Sequence, residues 1–254
     1  MIDEGFREVV LTGIHLGDFG RKTGKGESLE ILLERLILTQ GDYRIRLSSI
    51  EPREISDRLL EIIASTDRIS PHLHIPLQSG DDGILSAMGR NYNTAFFENL
   101  VNSICSKIND INIGFDVITG FPGESDKQFK NTYSFIEKLP AGYLHVFSYS
   151  DRQGTEASEF AGKISPQIIK ERAGILRELG KRKKEEFRRK FIGRNERVLV
   201  ERDSKTGKNI LTGLTDNYIP VIFKSDRDTK QNDFVQVMLT KLGKNEAMEG
   251  KITC

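Results

Sequence analysis

The sequence predicts an α/β fold, βα units around a parallel sheet followed by a small all-β barrel, and three observations carry that reading. Short β-rich runs alternate with longer segments of helical period through most of the 254 residues, the pattern of βα units around a parallel sheet. The helical period stops at Gly193, beyond which strand-like runs are punctuated by turn-prone residues. The βα units are also too few to close an eight-stranded barrel, so either the sheet is open or something upstream is missing.

The expected strands of the first part are 8–12, 43–48, 72–77, 113–119 and 144–149, and helices are expected over 28–39, 55–65, 95–108 and 126–139. Ser125 with Gln128 reads as a capping box, and Ser165 before Pro166 as an N-cap with proline at the first helical position. A long helix is expected over 166–191, and residues 181–194 carry eight basic and two acidic side chains. Past Gly193, strands at 197–201, 218–223 and 234–239 are separated by turn clusters in 203–207, at Asp216-Asn217 and at Gly243-Lys244, which predicts a compact barrel.

Composition excludes several classes. With 38 basic against 37 acidic side chains the formal charge is +1, so any attraction to nucleic acid must be local. Two cysteines, Cys105 and Cys254, exclude a disulfide framework, a CxxC redox site and a cysteine-built zinc or iron–sulfur site within these residues, and the expected compartment is the reducing cytosol. The start MIDEGFREVV has neither a basic n-region nor an apolar h-region, and no run of about 18 uncharged apolar residues is present, so neither secretion nor a membrane span is expected.

In parallel α/β architectures ligands bind at the carboxyl ends of the strands. Here those ends read Thr12-Gly13-Ile14-His15, Ser48-Ser49-Ile50-Glu51, Gln78-Ser79-Gly80, Thr119-Gly120 through Glu124, and Ser148 through Thr155. Each residue alone has a bland reading as a turn or surface group. Five decorated ends on one sheet predict a single polar rim. His72 and His74 share a strand face at a spacing a metal could use, but no third ligand is evident; they are read as structural and no metal is assigned. The basic run of Lys181, Arg182, Lys183, Lys184, Arg188, Arg189 and Lys190 either holds RNA phosphates or is a solvated helix face. Its place directly before a small barrel favours RNA. Phe187 and Phe191, four apart on one face, are expected to pack between the two parts.

The segments LTGIHLGDFG (11–20), RIRLSSIEP (44–52), HLHIPLQSG (72–80), DVITGFPGE (116–124) and HVFSYSDRQGTEA (145–157) resemble the radical S-adenosylmethionine methylthiotransferases, in order and spacing. The resemblance implies a partial (βα) barrel over 1–192 and, over 193–254, the small RNA-binding barrel called TRAM. LTGIHLG and GLTDNYIPVIFK (213–224) look most like the branch that converts N6-threonylcarbamoyladenosine 37 of tRNA to its 2-methylthio form; the isopentenyladenosine branch usually carries Gln-Asn where Ile14-His15 stand, and the branch acting on a ribosomal protein is a weaker option.

The same resemblance places Gly13, Ile14 and His15, with Ser49 and Glu51, near the methionine part of S-adenosylmethionine, Gln78 and Ser79 at the ribose, and Ile118, Gly120 and Glu124 near the adenine, with Phe147, Tyr149 and Arg152 completing the rim. The implied cofactors are S-adenosylmethionine and [4Fe-4S] clusters. The chemistry implied for the complete enzyme is abstraction of the C2 hydrogen by a 5′-deoxyadenosyl radical. The family's CxxxCxxC loop and its further N-terminal cysteines have no counterpart here, so the chain is expected to be the C-terminal part of such an enzyme, lacking the first strand and cluster loop, inactive alone, cytoplasmic, and partnered by tRNA and a separate N-terminal half. A non-catalytic tRNA-binding module and an aldolase-like barrel without an RNA substrate are the alternatives.

Overall fold

The computed structural model describes residues 2, 4–21, 26–203, 209–225, 229–243 and 246–253. Cys254 and most of the turn cluster in 203–207 lie outside them. Five parallel strands, β1 (Glu8–Leu11), β2 (Arg44–Leu47), β3 (His72–Gln78), β4 (Asn112–Thr119) and β5 (Tyr143–Ser148), alternate with α1 (Leu29–Leu36), α2 (Asp57–Ala64), α3 (Asp82–Ala87), α4 (Thr94–Lys107) and α5 (Asp126–Lys138). β1 pairs with β2, and β3, β4 and β5 pair in that order, all parallel. Isolated bridges from Ile45 to Ile69 and from Ser49 to His74 join the two groups into one curved wall. The partial barrel that the resemblance implies is therefore present.

Each helix start follows from a short polar side chain. Ser28, Ser56, Asp81, Asn93, Ser125 and Ser165 each accept a hydrogen bond from a backbone N–H inside their helix, and the Ser125–Gln128 capping box forms as read. The helix expected at 55–65 begins two residues later, because Pro52–Glu54 forms a 3-10 turn first.

Strand alternation decides what faces where. Leu73, Ile75 and Leu77 of β3, with Ile113, Phe115 and Val117 of β4, enter a core with Leu59, Phe97, Val101 and Ile136 of the helices. The opposite faces carry Glu8, Arg44 and Arg46, then His72 and His74, Asp116, and Tyr143, His145 and Phe147. The inner wall is thus polar and ionisable while the outer is apolar.

α6 (Pro166–Arg189) packs along β5 and leads through Gly193, at φ +85°, into β6 (Asn195–Asp203), β7 (Ile210–Thr215), β8 (Pro220–Lys224), β9 (Phe234–Leu242) and β10 (Met248–Ile252). These close into a barrel in the order β10-β8-β7-β6-β9. Phe187 and Phe191 enter its core with Val198, Val221, Phe223 and Leu239, so the end of α6 is built into the small barrel. The strand expected at 218–223 begins at Pro220 instead, because Tyr218 sits in a turn at φ +67°.

The small barrel covers the amino ends of the parallel strands. Arg44 donates to Leu214 O (3.1 Å) and to Asp216 (2.9 Å), Asn112 donates to Asn217 O (2.8 Å), and Arg46 and His72 both lie against the Tyr218 ring. The carboxyl ends remain open.

Candidate functional site

At the open end, the loop after β1 presents Gly13, Ile14 and His15 to solvent, Ile14 with 97% of its surface exposed. The buried Glu54 holds this loop in place. Its carboxylate accepts the Gly17 N–H (3.1 Å) and lies 3.2 Å from His15 Nδ1, and a Cβ on Gly17 would stand 2.4 Å from the Glu54 side chain. Sequence reasoning passed over Glu54; its signal was an acidic residue in the turn that Pro52 opens, seven residues past the end of β2. Ser49 is exposed, and half-buried Glu51 is paired with Arg90 at 3.3 Å.

The next two strand ends split into presenting and supporting residues. Gln78 is buried at φ +66°. Ser79, expected at a ribose, is fully buried and hydrogen-bonds Thr132 of α5 (3.1 Å) while accepting from the Asp81 N–H, so it fastens the loop. Glu124 is likewise a support. It accepts the Gly120 N–H (2.9 Å) and pairs with Arg172 (2.7 Å) in a buried cluster. Burial pushes its carboxyl up, against the Gly120 N–H and Arg172.

Phe147 is half exposed at the end of β5, and Arg152 is exposed beyond it. Tyr149 packs edge-on against Phe121, and its hydroxyl, like that of Thr119 at the end of β4, is buried without a hydrogen-bond partner among the described residues. A buried donor left unsatisfied costs about 1–3 kcal/mol. Two such hydroxyls at adjacent strand ends, with half-exposed Phe147 at the end of β5, suit a ligand with both polar and apolar parts.

Below the rim the inner wall carries a second group. The Tyr143 hydroxyl lies 2.9 Å from His72 Nε2 and 3.0 Å from His74 Nδ1. Gly114 makes room for it, since a Cβ there would fall 2.0 Å from the ring. His74 Nε2 is 2.8 Å and His145 Nδ1 3.4 Å from Asp116 Oδ1. The structure thus corrects the reading of His72 and His74 as a pair without a third partner: His72 belongs with Tyr143, whereas His74 joins Asp116 and His145. The signal was the strand register, which sets Asp116 beside His145.

Burial first, then the positive charge of Arg46, holds His72 well below its ordinary value, so it is neutral in the fold. The unfolded chain binds a proton near pH 6.5 that the folded chain refuses, hence stability falls as pH drops below that value. Unfolding in urea with chelator, measured from pH 7 to 5, is expected to show a loss on the order of 1 kcal/mol per pH unit from this residue. In His72→Gln the slope should flatten by that amount; an equal slope in both proteins would contradict the assignment.

The basic run divides when placed on α6. Lys183, expected at RNA, is buried, and its ammonium donates to the Glu137 and Leu139 carbonyls, where it caps the end of α5. Arg188 donates to the Glu246 carbonyl, Lys184 pairs with Glu246 (2.8 Å), and Arg182 pairs with Glu137 (2.6 Å). Lys181, Arg189 and Lys190 are exposed. No helix among the described residues is long and apolar enough to cross a membrane.

The sequence profile of the Radical SAM superfamily matches residues 2–136. The chain is 42% identical over 221 residues to the threonylcarbamoyladenosine tRNA methylthiotransferase MtaB of Aquifex aeolicus, covering 87% of this chain and 52% of that protein. It is 35% identical over 254 residues to the MtaB of Thermotoga maritima, covering 100% and 56%. It is also 34% identical over 240 residues to the tRNA-2-methylthio-N(6)-dimethylallyladenosine synthase of Fusobacterium nucleatum, covering 94% and 55%. The chain spans about half the length of these curated relatives.

Proposed function

We propose, from the premise that this chain belongs to the radical SAM superfamily, that it is the cofactor-rim and RNA-binding portion of a cytoplasmic tRNA methylthiotransferase acting on N6-threonylcarbamoyladenosine. Residues 1–192 form the cofactor part and 193–254 a TRAM-like RNA-binding barrel. The observation that carries the substrate reading is the similarity to the Aquifex protein over most of the chain. The dimethylallyladenosine reading draws on the Fusobacterium relative. It is weaker because Ile14-His15 stand where that branch usually carries Gln-Asn.

The rim residues suit S-adenosylmethionine. Among the described residues the Thr119 and Tyr149 hydroxyls lack partners, the exposed backbone of Gly13 to His15 suits an amino-acid moiety, and Phe147 and Ile14 offer apolar surface. When bound, the cofactor supplies radical chemistry at an unreactive C–H bond. The chain's own part is to orient it: Glu54 fixes the first loop, Glu124 and Arg172 fix the fourth, and Ser79 anchors the third to α5. The donor set does not suit a [4Fe-4S] cluster. The sequence has no CxxxCxxC, Cys254 lies outside the described residues, and Cys105 sits in α4 with its thiol pushed up by burial. Thiolates from a separate N-terminal half would have to hold a cluster.

For tRNA, Lys181, Arg189 and Lys190 are exposed on the last part of the basic helix and its C-cap, directly before the small barrel. Each phosphate neutralised releases counterions, so replacing the three by Gln should flatten the log–log salt dependence of tRNA binding by about 2 to 3 units. Folding should be unaffected, since exposed charges contribute little. A salt slope unchanged in this variant would return the run to a solvated helix face. Activity is tested by adding a cluster-loaded N-terminal half and following threonylcarbamoyladenosine in tRNA by mass spectrometry. Unmodified nucleoside in that mixture would rule out the substrate assignment.

A further inference from the structure

We propose that His74, Asp116 and His145 form a binding site for a divalent transition metal of the zinc type on the inner wall of the partial barrel, separate from the cofactor rim. The three side chains come from adjacent parallel strands, β3, β4 and β5, and each projects from the inner face. Their ligand atoms all lie within 4.8 Å of one another. Ligands at 2.0–2.1 Å from a tetrahedral zinc stand roughly 3.3 Å apart. The His145 Nδ1 to Asp116 Oδ1 separation of 3.4 Å already meets that figure, and the His74 Nε2 to Asp116 Oδ1 separation of 2.8 Å needs only a small widening to do so.

A second observation separates a metal site from a hydrogen-bonded cluster. Asp116 Oδ1 is buried, and although two imidazole nitrogens approach it, it has no hydrogen-bond partner among the described residues. The nitrogens are close to the oxygen but not aligned on it. Three donor atoms gathered without satisfying one another fit convergence on a common cation, whereas a His–Asp–His relay would align an N–H on the carboxylate.

The surroundings supply what such a site needs. Metal-bound imidazoles are oriented by a hydrogen bond at the other ring nitrogen. His74 has that partner in the Tyr143 hydroxyl, which is itself held by His72. Entry is available, because half-exposed His145 lines a cavity of about 390 Å³ with Tyr143, Tyr218 and Lys184, and the Lys184 ammonium is paired with Glu246. Two imidazoles and one carboxylate are a borderline donor set with at least one coordination position left over, which favours Zn²⁺ over Mg²⁺ or Ca²⁺.

The test is titration of the 254-residue chain with zinc chloride by calorimetry, and with cobalt chloride followed by visible absorption. One equivalent per chain is expected, with tetrahedral-type cobalt bands. Asp116→Asn and His145→Gln should each weaken zinc at least tenfold, and Tyr143→Phe, which leaves all three ligands in place, about 10–100-fold. Circular dichroism reports folding, and the His145 variant remains readable if the Asp116 variant unfolds, because His145 sits at the solvent boundary. Absence of stoichiometric binding, wild-type affinity in folded His145→Gln, or loss of binding only in Cys105→Ser would each overturn the proposal.

Discussion

Replacing Arg44 by Met is expected to cost about 3 kcal/mol of stability and to loosen the small barrel from the partial one. Arg44 is fully buried, and its guanidinium joins three parts of the chain: Glu8 of β1 (2.5 Å), Asp216 (2.9 Å) and the Leu214 carbonyl of β7 (3.1 Å). Removing one partner of a buried ion pair costs about 3–5 kcal/mol because the remaining charge is stranded. Here the lower end applies, since Glu8 keeps Arg46 (2.8 Å) and Asp216 keeps Arg197 (3.2 Å). Burial pushes the Glu8 carboxyl up, but hydrogen bonds and charge from Arg46 and Arg44 outweigh it and hold the group below its ordinary value. A lowered carboxyl contributes stability that is present above the unfolded value near 4.5 and lost as pH falls through the folded one. The variant should therefore lose less than the wild type on acidification below pH 4.5. Urea unfolding at pH 7 and pH 4 measures both effects; a loss at pH 7 no larger than the ~0.5 kcal/mol of a surface change would show that the ion pair does not couple the two barrels.

That residue also shows where the sequence was legible and where it was not. RIRL read as a strand, and β2 is one, but alternating arginines ordinarily imply a solvated face, and only the small barrel docked on the strand ends makes all four residues buried. The parallel strands and their helices, the short α3 excepted, were legible because apolar periodicity and capping residues are local signals: Ser125, Gln128 and Pro166 act as read. β7 and β10 were not expected. Each is short and contains a glycine, Gly213 or Gly250, a residue that reads as a turn. Those glycines are there because the barrel is tight: a Cβ on Gly213 would stand 2.2 Å from the Leu199 carbonyl, and one on Gly250 2.4 Å from Val237.

The rim was legible as a set of strand ends but not as a division of labour. Which polar groups face outward depends on partners distant in sequence, such as Thr132 for Ser79 and Arg172 for Glu124. The same holds for the basic run. Composition announced a positive helix, while the carbonyls at the end of α5 decided that Lys183 would be withdrawn from it. The cluster of His74, Asp116 and His145 needed the register of three strands, which no single segment encodes.

Arg172→Met carries the largest expected effect at the rim itself. The Arg172 guanidinium bonds the Glu124 carboxylate (2.7 Å) and carbonyl (2.9 Å), reaches Asp126 (2.7 Å) and lies over the Phe129 ring. Without it the Glu124 carboxylate, 1% exposed, keeps only the Gly120 N–H, and the loss should be about 3–5 kcal/mol at pH 8. Burial already pushes the Glu124 carboxyl up, and removing the nearby cation pushes it further. The folded variant then holds a proton over a range where the unfolded chain has released it, so its stability falls as pH rises, and the cost of the substitution should be smaller at pH 5 than at pH 8. Glu124→Gln in the Arg172→Met background removes the stranded charge while keeping an acceptor for Gly120, and should recover about 1–3 kcal/mol relative to additivity. Because Gly120, at φ +81°, follows Thr119 directly, S-adenosylmethionine affinity should drop in the single variant and return in part in the double one. Additive losses in the two substitutions, measured by urea unfolding, would mean that Glu124 and Arg172 support the rim independently and not as one buried pair.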